Sequence, residues 1–140
     1  MHKRTMAAVV AAVLTCSTVG AAEAAPAPAR SATSITGQWK GAVQGDDGGP
    51  AGYTAKVTIT RKDGKLHGKV VYPDLCSGNW VYKGKKNGWF RFREVITKDP
   101  GAATCVSPVA VKTRRKGEKL RVVWREPESG DTGYMTAHRR

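Results

Sequence analysis

Carboxylates are scarce in this chain. Eleven Asp and Glu stand against 24 Lys and Arg over 140 residues, a formal net charge of +13. A field of that sign favours anionic partners. Histidines and cysteines are also few, three of each. Neither a CxxC nor an HxxxH spacing occurs, so the close-spaced ligands of a zinc site are not specified. Past the N-terminal segment, no stretch repeats apolar residues with the 3.6-residue period of an amphipathic helix. That excludes a helical bundle and leaves β structure.

The N-terminus sets the compartment. "MHKRTMAAVVAAVLTCSTVGAAEAA" has a positive start at His2, Lys3 and Arg4, and an apolar run from Met6 to about Leu14. Small residues follow at Ala22 and Ala24, around a cleavage site. This is the pattern of a secretory signal peptide over residues 1–24, with an apolar run too short to span a bilayer. Cys16, which also admits a lipoprotein reading, would leave with it. Residues 25–34, "APAPARSATS", read as a flexible linker. Residues 35–140 are one domain by length. The expectation is a secreted, extracellular protein with no transmembrane segment in its mature chain.

Two cysteines then remain, Cys76 and Cys105. A nucleophile would need an adjacent base and a free thiol. In an oxidising compartment an isolated pair is most simply a disulfide.

Alternation of period two recurs along the domain. Ile35, Gly37, Trp39, Gly41 and Val43 form one set; Tyr53, Ala55, Val57 and Ile59 the next; Leu66, Gly68, Val70 and Tyr72 a third. Phe90, Phe92, Glu94 and Ile96 follow, then Leu120, Val122 and Trp124. Weaker strands fit 79–83, 106–113 and 133–138. Asp63-Gly64 and Asn87-Gly88 are two-residue hairpin signals, and Gly117 marks a third turn. About eight short strands with tight links predict an all-β antiparallel meander, a small barrel or sandwich, with one disulfide.

"YTAKVTI", "GKLHGKVVYPDLCSGNWVY", "REVIT", "ATCVSPVAVKT" and "GYMTAHR" occur in that order. As a set they resemble the small extracellular C-terminal β-domain of actinobacterial serine/threonine protein kinases. The resemblance covers most of the chain from about Gly37 to Arg139. It implies a free-standing sensing or binding module, and two cysteines suited to pair. It implies no kinase activity, because the Gly-rich loop and the HRD and DFG segments are absent. "SITGQWKG" and "KDGKLHG" are also similar to the first strand and a hairpin of avidin-type and lipocalin-type barrels. There Trp39 would be a core residue at one barrel end. Fold likeness of this kind does not transfer a ligand.

Glu94 is the one charged residue with inward parity. It is either a general acid or base of raised pKa, or a structural carboxylate at a barrel end, paired with Arg or accepting from Tyr. A small secreted RNase-like hydrolase would use it with His138 or His67. His67 has the parity of a solvated strand position, and His138 lies near the C-terminus. A protease inhibitor acting through its hairpin loops is a third possibility.

Without residues 1–24 the chain keeps 22 basic against 10 acidic residues, a net +12. Lys83, Lys85 and Lys86 load one hairpin. Arg114, Arg115, Lys116 and Lys119 load another. Arg91, Arg93, Arg121 and Arg125 take outward parity. These are the candidate contacts for an acidic polymer or cell-wall component. The alternative is charge that serves solubility and edge protection. The reading is a non-enzymatic binding or sensing module for an extracellular ligand, a polyanion being the candidate. No catalytic, cofactor-binding or metal-ligating residue is specified.

Overall fold

The computed structural model describes residues 24–25, 34–101 and 105–140. Apart from Ala24, Ala25 and Ser34, the expected signal peptide and linker lie outside them. Eight strands follow: β1 (Gly37–Gln44), β2 (Pro50–Lys62), β3 (Lys65–Tyr72), β4 (Cys76–Lys86), β5 (Trp89–Lys98), β6 (Val109–Lys116), β7 (Lys119–Arg125) and β8 (Thr132–Arg139). Each pairs antiparallel with the next, and β8 returns to pair with β1, from Trp39↔Arg139 to Gln44↔Tyr134. The meander is therefore a closed barrel and not a sandwich. Among the described residues no helix is long and apolar enough to cross a membrane.

Alternation decides which side chains fill the barrel. In β3, Leu66, Gly68, Val70 and Tyr72 are buried while Lys65, His67, Lys69 and Val71 are exposed. The same parity buries Trp39 and Val43, Ala55, Val57 and Ile59, Phe92 and Glu94, and Leu120, Val122 and Trp124. The turns have the chemistry that their sequences predict. Asp63-Gly64 and Asn87-Gly88 hold positive φ at both residues, the type I′ pattern that suits the twist of a hairpin. The three-residue link Pro73–Leu75 turns tightly, with the Leu75 N–H donating to the Tyr72 carbonyl at 3.0 Å.

Two of the weaker strands differ most from their expected extent. β4 starts at Cys76 and runs to Lys86, because the tight Pro73–Leu75 link lets pairing resume at Tyr72↔Cys76. β6 starts only at Val109, after Pro108, which has no N–H for a ladder, and continues to Lys116. Gly68 faces Trp80 across β3 and β4, where a Cβ would lie 2.7 Å from that of Trp80. Its lack of a side chain gives the indole its place inside.

The two barrel ends are unlike. At the end of the β2–β3, β4–β5 and β6–β7 turns, Trp39 is fully buried, and its Nε1 donates to the Ile35 carbonyl at 2.9 Å. The Arg115 and Arg139 guanidiniums lie over its ring at 5.1 and 4.4 Å and close this end. At the opposite end, loops 45–49, 73–75 and 126–131 and the described parts of the β5–β6 loop, 99–101 and 105–108, surround an opening. The expected disulfide is present there: Cys76, at the start of β4, is bonded to Cys105 in the β5–β6 loop, with Cα atoms 6.5 Å apart.

Candidate functional site

Two features of opposite character stand out, one on the barrel wall and one inside it. The wall feature is a groove of about 840 Å³ over the outer face of β5, β6 and β7. Cross-strand register builds it. Arg93, Ala110 and Arg125 form one row, and Arg91, Lys112 and Val123 the next, with Arg114 opposite Arg121 beyond. The short Ala110 and Val123 side chains are its floor, and the long cationic ones around them are its banks. Lys83 joins from β4. Among the described residues, seven cationic side chains thus line the groove and no carboxylate does. None of the seven makes an ion pair; the pair found among the described residues is Arg115–Glu118. The ammonium of Lys112 and the guanidinium of Arg114 lie over the Trp89 ring, at 4.9 and 4.4 Å from its centre. That holds two of the charges in fixed positions near the closed end.

The placement sorts the candidate residues. Lys83, Arg91, Arg93, Arg114, Arg121 and Arg125 come together in the groove. Lys86, Lys116 and Lys119 sit at the hairpin ends of the closed side. The Lys85 ammonium rests over the Phe90 ring, 4.7 Å from its centre. Arg115 turns inward, donates to the carbonyls of Ser34 and Gly117, and stacks on Trp39. It is engaged in holding the closed end. Lys112 was missed, although its parity with Arg114 in one strand was a usable signal.

The inner feature is Glu94. It is buried, directly opposite Trp80 on β4. Oε2 accepts from Trp80 Nε1 at 2.6 Å, from Trp124 Nε1 at 3.0 Å and from the Tyr72 hydroxyl at 2.9 Å. Oε1 accepts from the same hydroxyl at 3.0 Å. Three donors from three strands converge on one carboxylate, and no arginine pairs with it. Burial pushes the Glu94 pKa up; the Trp80, Trp124 and Tyr72 donors pull against it and do not cancel it. Burial, reinforced by the nearby carboxylate, raises Tyr72 far above the usual phenol range.

His67 and His138 are both exposed on the outside of the barrel. The structure does not bring either together with Glu94. No group of three or more His, Cys, Asp or Glu among the described residues is arranged to hold a metal.

No family model, curated protein or solved structure matches the chain.

Proposed function

We propose that the protein is a secreted binding module that takes a linear polyanion along the β5–β7 groove. The observation that carries this reading is the gathering of seven cations, with no carboxylate among the described lining residues, on one stretch of wall. Arg91 lies directly opposite Lys112, and Arg114 directly opposite Arg121. Like charges in that position destabilise a sheet. A surface shaped for solubility alone intersperses both signs. A ligand that supplies the missing negative charge turns the cost into affinity.

Five of the seven cations are arginines, whose planar fork bonds phosphate, sulfate or carboxylate with two parallel N–H groups. The groove runs from Trp89 near the closed end to Pro108 and Pro127 near the open end, so it suits an extended chain. Contacts to backbone anions carry little sequence information, and selectivity among polymers of equal charge density follows as slight. The signal sequence and the disulfide support an extracellular setting, and the kinase-domain resemblance supports a sensing or binding role without catalysis.

Retention on immobilised heparin tests the reading. The protein should be held at low salt and released by salt. Arg91→Ser with Arg114→Ser should elute much earlier than Lys56→Ser with Lys69→Ser, which removes the same charge from β2 and β3. Equal elution of the two variants would contradict a defined site.

A further inference from the structure

The open end reverses the sign of the molecule. Its four loops contain Asp46, Asp47, Asp74, Asp99, Glu126, Glu128 and Asp131, and no Lys or Arg. They surround a cavity of about 280 Å³ that reaches down to Glu94. Among the described residues no Lys, Arg or His lines this cavity; Glu94, Glu126 and Asp131 do, with the rings of Tyr53, Tyr72 and Trp124. Within a chain of net +13, a cavity without a cation and with three carboxylates is a local inversion.

We propose that this pocket binds a small organic cation, an alkylammonium or quaternary ammonium group, with Glu94 as its counter-ion and the Tyr53, Tyr72 and Trp124 rings as its walls. Glu94 supplies the first reason. A carboxylate taken out of water without an opposite charge is costly. Its partners are neutral donors, which leave its charge uncompensated. Two of the three act on Oε2 alone, so Oε1, which accepts only from Tyr72, keeps capacity for a further donor.

The walls supply the second reason. Tyr53 meets Tyr72 edge-on at 5.8 Å, and Tyr72 is tilted against Trp124 at 6.4 Å. Rings grouped in this way around a carboxylate attract a cation through their negative faces. A metal ion is disfavoured, because among the described residues no group of three or more His, Cys, Asp or Glu is arranged to hold one. The volume is that of roughly nine waters at about 30 Å³ each, enough for a small molecule and too little for a polymer. The site opens on the end of the barrel and does not depend on the wall groove.

The test uses the whole protein and three probes of similar bulk: choline, its neutral isostere 3,3-dimethyl-1-butanol, and butyrate. Titration calorimetry gives affinities, and Trp124 in the wall makes tryptophan fluorescence a second readout. Choline should bind at least about tenfold more tightly than the neutral isostere, the scale of a desolvated cation–π contact. Butyrate should not bind. Glu94→Gln should abolish the preference for the cation. Because Glu94 also anchors the core, Tyr53→Ala is the second variant. Tyr53 stands at the mouth with 39% of its surface exposed, so its loss leaves the core in place. It should weaken choline by at least about threefold, the lower end for one ring. Choline binding no tighter than dimethylbutanol, binding of butyrate, no binding of choline at all, or choline affinity untouched by Tyr53→Ala would each overturn the proposal.

Discussion

Tyr72→Phe isolates the hydroxyl that holds Glu94. The ring stays and keeps its packing on Tyr53 and Trp124, while the O–H donated to both carboxylate oxygens at 3.0 and 2.9 Å is removed. A hydrogen bond to a charged group contributes about 1.5–3 kcal/mol, and a neutral one about 1 kcal/mol. At neutral pH the expected cost is therefore about 2 kcal/mol, or roughly 10 °C in Tm for a domain of this size. In a Glu94→Gln background the same change should cost about half as much, leaving a coupling of about 1 kcal/mol. The pH dependence has a definite sign. The carboxyl of Glu94 titrates above its ordinary value near 4.5 in the folded protein. Its stabilising contribution is then complete below about that value and declines as pH rises through the raised native one. Wild-type stability measured against Glu94→Gln should fall as pH rises above about 4.5. Removing Tyr72 takes away a donor to the ionised form, so the cost of Tyr72→Phe should grow over the same interval. Thermal unfolding by circular dichroism on the four proteins of the cycle measures all of this. A Tyr72→Phe cost identical in both backgrounds, or a wild type that gains on Glu94→Gln as pH rises, would refute the reasoning.

Other outcomes follow from the same contacts. Reduction of Cys76–Cys105, which spans 29 residues, should remove about 3.6 kcal/mol by loop-closure entropy, roughly 15 °C in Tm; native protein that takes up two equivalents of alkylating agent without reduction would contradict the bond. Arg115→Ala should lower stability by about 1–3 kcal/mol, through lost stacking on Trp39 and lost bonds to Ser34 and Gly117, and leave heparin retention nearly intact. Its neighbour Arg114→Ala should do the reverse, and matching effects from the two would contradict their assigned placement. Gly78→Ala should be strongly destabilising on denaturant unfolding, because the added Cβ would lie 2.3 Å from the Val95 carbonyl oxygen.

Much of the fold is legible in the sequence because a half-buried strand writes its two faces alternately. Leu66 to Tyr72 shows this directly, and Asp63-Gly64 and Asn87-Gly88 mark their turns by the positive φ they tolerate. Closure is not legible, since barrel and sandwich share the same alternation and differ only in whether β8 reaches β1. Parity also placed Glu94 inside and left its partners open. Two of its three donors are indoles from strands 14 and 30 residues away, a convergence that local pattern does not encode. Arg115 shows how a boundary changes a reading. With the strand ended at Thr113 it belongs to an exposed hairpin; with the strand continued to Lys116, alternation carries it inward beside Trp39. The charge is a similar case. Along the chain the basic residues look evenly spread. Register gathers seven of them on one wall, and the connections gather seven of the carboxylates at one end.

The salt dependence of polyanion binding tests the central claim most directly. Binding of a single-stranded oligothymidylate to the protein should weaken linearly on logarithmic axes, with a slope of about −0.7 per phosphate contact, near −5 if all seven groove cations take part. Arg91→Ser, Lys112→Ser and Arg114→Ser together should flatten the slope by about 2. Lys40→Ser, Lys56→Ser and Lys69→Ser, an equal change in net charge on the outer face of β1–β3, should leave it nearly unchanged. Equal flattening by the two triple variants would contradict the groove as a binding site.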